Sequence, residues 1–150
     1  MLKQTLKKIF RRDLEKLKQE IDLYHDEKKL WIVEKNISNS AGNLCLHLIG
    51  NINAYIGAEI GKTGYIRHRD LEFSEKDLPK SELLQKIDDT IIVVENALNI
   101  LTNENFNEEY PLVVFDKPMT TEYFLVHLAG HLNYHLGQIN YHRRLLDSEK

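Results

Sequence analysis

His127, His131 and His135 recur at four-residue intervals inside Tyr123–Leu146, a stretch without proline and with a helical apolar rhythm. Four residues is just over one helical turn, so the three imidazoles share one stripe of one helix. His47 stands far away in sequence, between Leu44, Leu48 and Asn51 of a second predicted helix. An adjacent histidine pair joined by one histidine from another element is the donor set of a metal site with three protein ligands and an open position. An ion held that way makes a nucleophile at neutral pH, because it deprotonates a thiol outright or brings a water to a pKa of about 7.

His127 and His135 are eight residues apart, about 12 Å along the helix axis. Both cannot bind one ion at a Zn–N distance of about 2.1 Å. The pair is therefore His127/His131 or His131/His135, and spacing alone leaves both open. His47 is the best third donor, since it lies mid-helix on an apolar face. His25, His68 and His142 fall at helix ends or in a loop, where a solvated imidazole is expected. The competing reading is a buried polar cluster without metal. The small, apolar flanks (Leu128, Ala129, Gly130, Leu132) argue against exposure, and buried imidazoles without partners are costly.

Other metal chemistries are excluded. Leu132 stands where an H-E-x-x-H protease carries its glutamate base. No Glu-x-x-His pair is present for a carboxylate-bridged di-iron bundle. The single cysteine, Cys45, rules out an internal disulfide and a thiolate-rich zinc finger. Its place in Leu44-Cys45-Leu46 reads as a buried small hydrophobe.

Four long helices must position these residues. Leu2, Leu6, Ile9, Phe10, Leu14, Leu17, Ile21 and Tyr24 mark the buried face of the first. A short piece around Glu27–Val33 follows a break near His25-Asp26. Residues 36–40 supply turn and cap chemistry for a second helix, Ala41–Ile60, which Gly61 ends. Residues 65–80 are irregular and charged, too long for a tight turn. The third helix spans Ser81–Leu101. Residues 102–119 form a second long connection, with Tyr110–Phe115 extended and Pro111 and Pro118 barring a helix there. Thr120 caps the fourth helix, which ends near Asp147 with Arg143 and Arg144 in its last turn. The expected fold is all-α, a four-helix bundle with a long crossover between helices two and three, in one domain over residues 1–150.

The net charge of −3 gives no global pull towards nucleic acid or anionic lipid. The locally basic residues 3–18 read as a solvated helix face. No apolar run has membrane-spanning length, and lysines interrupt the N-terminus too early for a secretory segment. A cytoplasmic protein is the default expectation, with neither nucleic acid nor membrane as partner.

The stretches Asn43-Leu44-Cys45-Leu46-His47-Leu48-Ile49-Gly50-Asn51 and His127-Leu128-Ala129-Gly130-His131-Leu132-Asn133-Tyr134-His135-Leu136-Gly137-Gln138-Ile139 resemble the DinB-like (DinB/YfiT) superfamily. Residues 60–74, from Ile60-Gly61-Lys62-Thr63-Gly64 onward, are similar to an uncharacterised branch of it of about this chain's length. The resemblance covers essentially the whole chain. It implies a four-helix bundle with a long crossover, a mononuclear divalent ion (zinc or nickel), and ligands at His47, His131 and His135. His127 then becomes a cavity residue beside the ion. Relatives act as low-molecular-weight-thiol S-transferases, a thiol-dependent isomerase or metal-dependent hydrolases, and homodimers are common. Leu136 stands where many relatives carry arginine, so that arginine's role does not transfer.

The resemblance makes thiol transfer onto a small-molecule substrate the leading expectation. The alternatives are hydrolysis and a non-catalytic metal-binding bundle. Asn51 and Gln138, each one turn beyond a histidine, are placed to orient an imidazole or the nucleophile. Tyr65, Arg67 and Arg69 are candidates to hold carboxylates of a thiol cofactor, unless the arginines pair with Asp70 or Glu72.

Overall fold

A computed structural model describes residues 1–148; Glu149 and Lys150 lie outside them. The described residues are helical, with no β-strand and one isolated antiparallel bridge between Glu109 and Thr120. In chain order the α-helices are α1 (Leu2–Asp22), α2 (Ala41–Ile52), α3 (Arg69–Ser74), α4 (Lys80–Ile100), α5 (Asn103–Asn107) and α6 (Thr121–Leu146). Helix α1 packs against α4 and α6, and α2 packs against α3, α4 and α6. No helix among the described residues is long and apolar enough to cross a membrane.

The pairings follow from side-chain pattern. Leu6, Phe10, Leu14, Leu17 and Ile21 of α1 are buried at three- and four-residue steps, as are Leu83, Ile87, Thr90, Val94 and Leu98 of α4. Asp13 is buried in the same α1 face, where Asn133 of α6 donates to its Oδ2 at 3.2 Å and Arg12 to its Oδ1 at 2.8 Å. Glu20 draws in α6 further down, accepting from Asn140 and Arg143 at 2.8 Å each.

Helix α2 is different: all its residues are buried, so it is the helix the others enclose. Ser40 caps it, its side chain accepting from Asn43 N–H at 3.1 Å. Where one continuous helix to Ile60 is expected, the α geometry stops at Ile52 and a π-helical turn covers Asn53–Ala58. Asn53 explains part of this, because its side-chain amide donates both to the Ile49 carbonyl (2.8 Å) and to Thr90 Oγ1 on α4 (2.9 Å). Insertions of this kind within helices cluster at functional sites.

The two connections also hold more structure than their sequences suggest. Residues 65–80 contain α3, and residues 102–119 contain α5, whose N-terminus is closed by a reciprocal Thr102–Asn105 capping box. Tyr110 is buried and donates its hydroxyl to the Tyr55 carbonyl at 2.6 Å, anchoring the second connection to the π turn. Residues 27–31 form a 3₁₀ turn instead of continuing α1. Thr120 caps α6 as expected, accepting from Tyr123 N–H at 3.1 Å.

His142 corrects the expectation of a solvated imidazole. It is buried, with Nδ1 2.6 Å from the Tyr24 hydroxyl and Nε2 2.9 Å from the Ile32 carbonyl. A carbonyl only accepts, so Nε2 carries the proton and Tyr24 donates to Nδ1. The pair ties the chain after α1 to the end of α6.

Gly42 lets Trp31 lie flat on α2. A Cβ at that position would stand 2.6–2.8 Å from three ring carbons of the indole. Gly42→Val should therefore lower stability by about 1–3 kcal/mol through overpacking, read as a fall in the thermal midpoint. An unchanged midpoint would show that Trp31 has another place to go.

Candidate metal centre

One helix turn on α6 and one position on α2 converge. His47 Nε2 lies 3.2 Å from His131 Nε2, and His135 Nε2 lies 3.2 Å from the same atom. The three donor nitrogens all fall within 4.8 Å of one another, so the group could hold a metal ion. The rings meet nearly edge-to-face, at interplanar angles of 78°, 87° and 90°. That arrangement points lone pairs, not ring faces, at a common position.

The outer nitrogens explain the aim. His47 Nδ1 is 3.0 Å from Glu72 Oε1, and His135 Nδ1 is 2.7 Å from Gln138 Oε1. Both partners accept, so both Nδ1 atoms carry protons and both Nε2 lone pairs turn inward. Glu72 is held in turn by Arg67, whose Nε and Nη2 donate at 2.8 and 3.0 Å. Burial alone would raise the Glu72 pKa; the bonds from His47 and Arg67 outweigh it and hold the carboxyl below its usual range. Gly50 makes room for this, because a Cβ there would fall on the Glu72 carboxylate. Asn43 fixes α3 from below, its amide donating to the carbonyls of Glu72 (3.0 Å) and Glu75 (2.8 Å).

Burial pushes the His131 pKa down to about 4, and positive charge on His135 and His47 would push the same way. His135 is lowered too, chiefly by burial and against the hydrogen bond to Gln138. Both rings are therefore neutral at pH 7, the form that binds metal.

The remaining candidates divide. His127 is exposed, against the expectation from its apolar flanks. Its ring sits 4.9 Å from Phe115 edge-to-face and stacks parallel to Phe124 at 6.0 Å, outside the converging group. Asn51 is buried with an unpartnered Oδ1. Arg67 is spent on Glu72. Arg69 lies over the Phe73 ring at 5.7 Å and makes no ion pair among the described residues. Tyr65 lines a separate cavity of about 180 Å³ with His68. A cleft of about 350 Å³ opens beside the histidines, lined by His47 and His131 together with Asn51, Phe115, His127 and Arg69.

Pairing of an arginine with Glu72 was expected and Arg67 supplies it, but the contact of Glu72 with His47 was not foreseen from the sequence. The signals were a glycine, Gly50, inside a helix one turn after His47, and an arginine five residues before the glutamate. Neither names the contact by itself.

These residues make the protein a helical one with a three-histidine group able to hold a metal ion. The chain belongs to the family described as "Protein of unknown function (DUF1572)", whose model matches residues 2–150. Comparison with curated proteins gives no match.

Unfolded, His131 takes a proton near its ordinary 6.5; folded, only near about 4. The unfolded state thus binds more protons between these values, so the metal-free fold loses stability as pH falls from 6.5, and the loss is complete below about 4. Thermal unfolding of metal-free protein from pH 7 to 4 should show a falling midpoint, and His131→Gln should flatten the fall. Equal slopes in both proteins would contradict this reading of the site.

Proposed function

We propose that His47, His131 and His135 bind one divalent ion, zinc or nickel, and that the protein is a metal-dependent S-transferase activating a low-molecular-weight thiol. The observation that carries the metal reading is the pair of 3.2 Å Nε2–Nε2 separations. Ligands about 2.0–2.1 Å from a tetrahedral zinc ion stand about 3.3 Å apart, so the donors fit such an ion. When bound, the ion supplies Lewis acidity that makes a thiol or a water nucleophilic at neutral pH.

The chain's own residues do the rest. Glu72 and Gln138 hold the His47 and His135 rings in the metal-binding tautomer, and Arg67 keeps Glu72 ionised. Phe115 and His127 meet edge-to-face on the cleft beside the site, and Arg69 offers a cation to a carboxylate of thiol or substrate. The converging group numbers three donors among the described residues, which leaves a coordination position for a small molecule. A purely structural site would be closed by a fourth protein ligand.

The resemblance to the DinB-like superfamily supports the thiol in preference to water, and it reads α1, α2, α4 and α6 as a four-helix bundle with a crossover through α3. It also supports a single domain and a homodimer. An exposed apolar stripe on α6 (Tyr123, Val126, Tyr134, Tyr141, Leu145) favours self-association.

With cobalt(II) as the spectroscopic ion, adding N-acetylcysteine should produce a thiolate-to-cobalt charge-transfer band. A spectrum indifferent to thiols, in a protein that hydrolyses esters, would replace the transferase with a hydrolase. Glu72→Gln should weaken zinc binding by about 10–100-fold, measured by competition with a chromophoric chelator; an unchanged affinity would remove Glu72 from the account.

A further inference from the structure

Helix α6 departs from the usual pattern of a surface helix. Its inward side is buried through Phe124, Leu125, Leu128, Leu132, Leu136 and Ile139. An outward side normally carries charge, as that of α1 does with Lys8, Arg11, Arg12, Glu15 and Lys16. Yet no Asp, Glu, Lys or Arg occurs from Tyr123 to His142. The stripe opposite the core reads Tyr123, Val126, Gly130, Tyr134, Gly137 and Tyr141, at three- and four-residue steps and exposed throughout. The three tyrosines are 63%, 65% and 63% exposed. A Cβ at Gly130 or Gly137 would meet nothing within 4 Å, so another chain can approach the helix closely there.

The stripe also matches itself when reversed. Gly130 with Gly137, Val126 with Tyr141, and Tyr123 with Arg144 are all centred on the point between Asn133 and Tyr134. Two copies laid antiparallel about that point set Gly130 against Gly137 and Val126 against Tyr141. Charge agrees with this arrangement. Glu122 at one end of the stripe comes beside Arg144 of the second copy, and neither forms an ion pair among the described residues of its own chain. A groove of about 410 Å³ between α1 and α6 runs along Gly137 and Tyr141, a recess for Val126 of the second copy. Taking an aromatic side chain at about 200 Å², the tyrosines leave about 400 Å² in water. Val126, Leu145, Glu122, Asn133 and Arg144 bring the face near the roughly 800 Å² per partner of a standard interface. Tyrosine is also a residue enriched where such interfaces hold most tightly.

We infer that α6 is a homodimer interface, in which two copies cross antiparallel at Gly130 and Gly137 about a two-fold axis beside Asn133 and Tyr134. The contact is isologous, so it closes at two copies. Tyr134 packs against the His135 ring at 5.2 Å, so the interface borders the metal group. This inference gives the homodimer of the proposed function its surface and rests on that reading; it does not depend on the metal.

The test is the mass of the full-length protein by sedimentation equilibrium over a concentration series, with circular dichroism to show that each variant keeps its helices. The natural protein should be a dimer. Gly137→Lys fills space that is open within one chain, so it should keep the fold and weaken self-association about 100-fold. Glu122→Arg should weaken it about tenfold, since the lost pair occurs twice in a symmetric dimer. Glu122→Arg combined with Arg144→Glu should regain the natural affinity, because only the antiparallel crossing brings these two residues together. A dimer indifferent to Gly137→Lys, or not rescued by the double exchange, would overturn this interface while the homodimer stands. A natural protein that stays monomeric at every concentration would overturn both and leave the face to a different protein.

Discussion

Three imidazole lone pairs aimed at one position set the constraint that organises this protein. With the His47 and His135 Nδ1 protons committed to Glu72 and Gln138, both Nε2 atoms face His131 Nε2 at 3.2 Å as acceptors. His131 can donate to one of them at most, so at least one pair of lone pairs opposes another at close range. A cation between them turns that repulsion into coordination. The lowered pKa values of His131 and His135 mean that protons do not serve as this cation near neutral pH.

Much of the fold can be read as support for that convergence. His47 must reach α6 from a helix that is buried on every side, and α2 achieves this by being sealed with α3 on one flank and α4 and α6 on others. Gly50 admits the Glu72 carboxylate, and Asn43 pins the backbone that carries it. The π turn after Ile52 lies beside the cleft, with Tyr55 on the cleft wall and its carbonyl bound by Tyr110. The second long connection is thereby fixed to the site. Phe115 hangs from that connection and meets His127 of α6, so the cleft beside the histidines is lined by both the connection and the helix that carries His131 and His135.

The legible and the hidden parts of the sequence separate along physical lines. The long helices were legible because apolar residues recur at helical period and Ser40 and Thr120 announce their starts. The His131/His135 spacing was legible as one turn of helix, but its choice over His127/His131 needed the resemblance, since both pairs obey the same geometry. The π turn was hidden, because it depends on Asn53 bonding Thr90 across to α4. So was the burial of His142, which depends on Tyr24 and Ile32 more than a hundred residues away. The pairing of Arg67 with Glu72 was among the expectations, five residues apart in one connection, but the contact of Glu72 with His47 on α2 was hidden for the same reason as His142. His127 shows the converse error, since apolar neighbours along a helix do not fix which stripe faces inward.

The central claim is that His47, His131 and His135 hold one metal ion. It is tested most directly by elemental analysis of untagged protein beside His131→Ala. The account predicts near one equivalent of a transition metal per chain in the natural protein and almost none in the variant. Natural protein that carries no metal, and takes up neither zinc nor nickel when offered them, would contradict it.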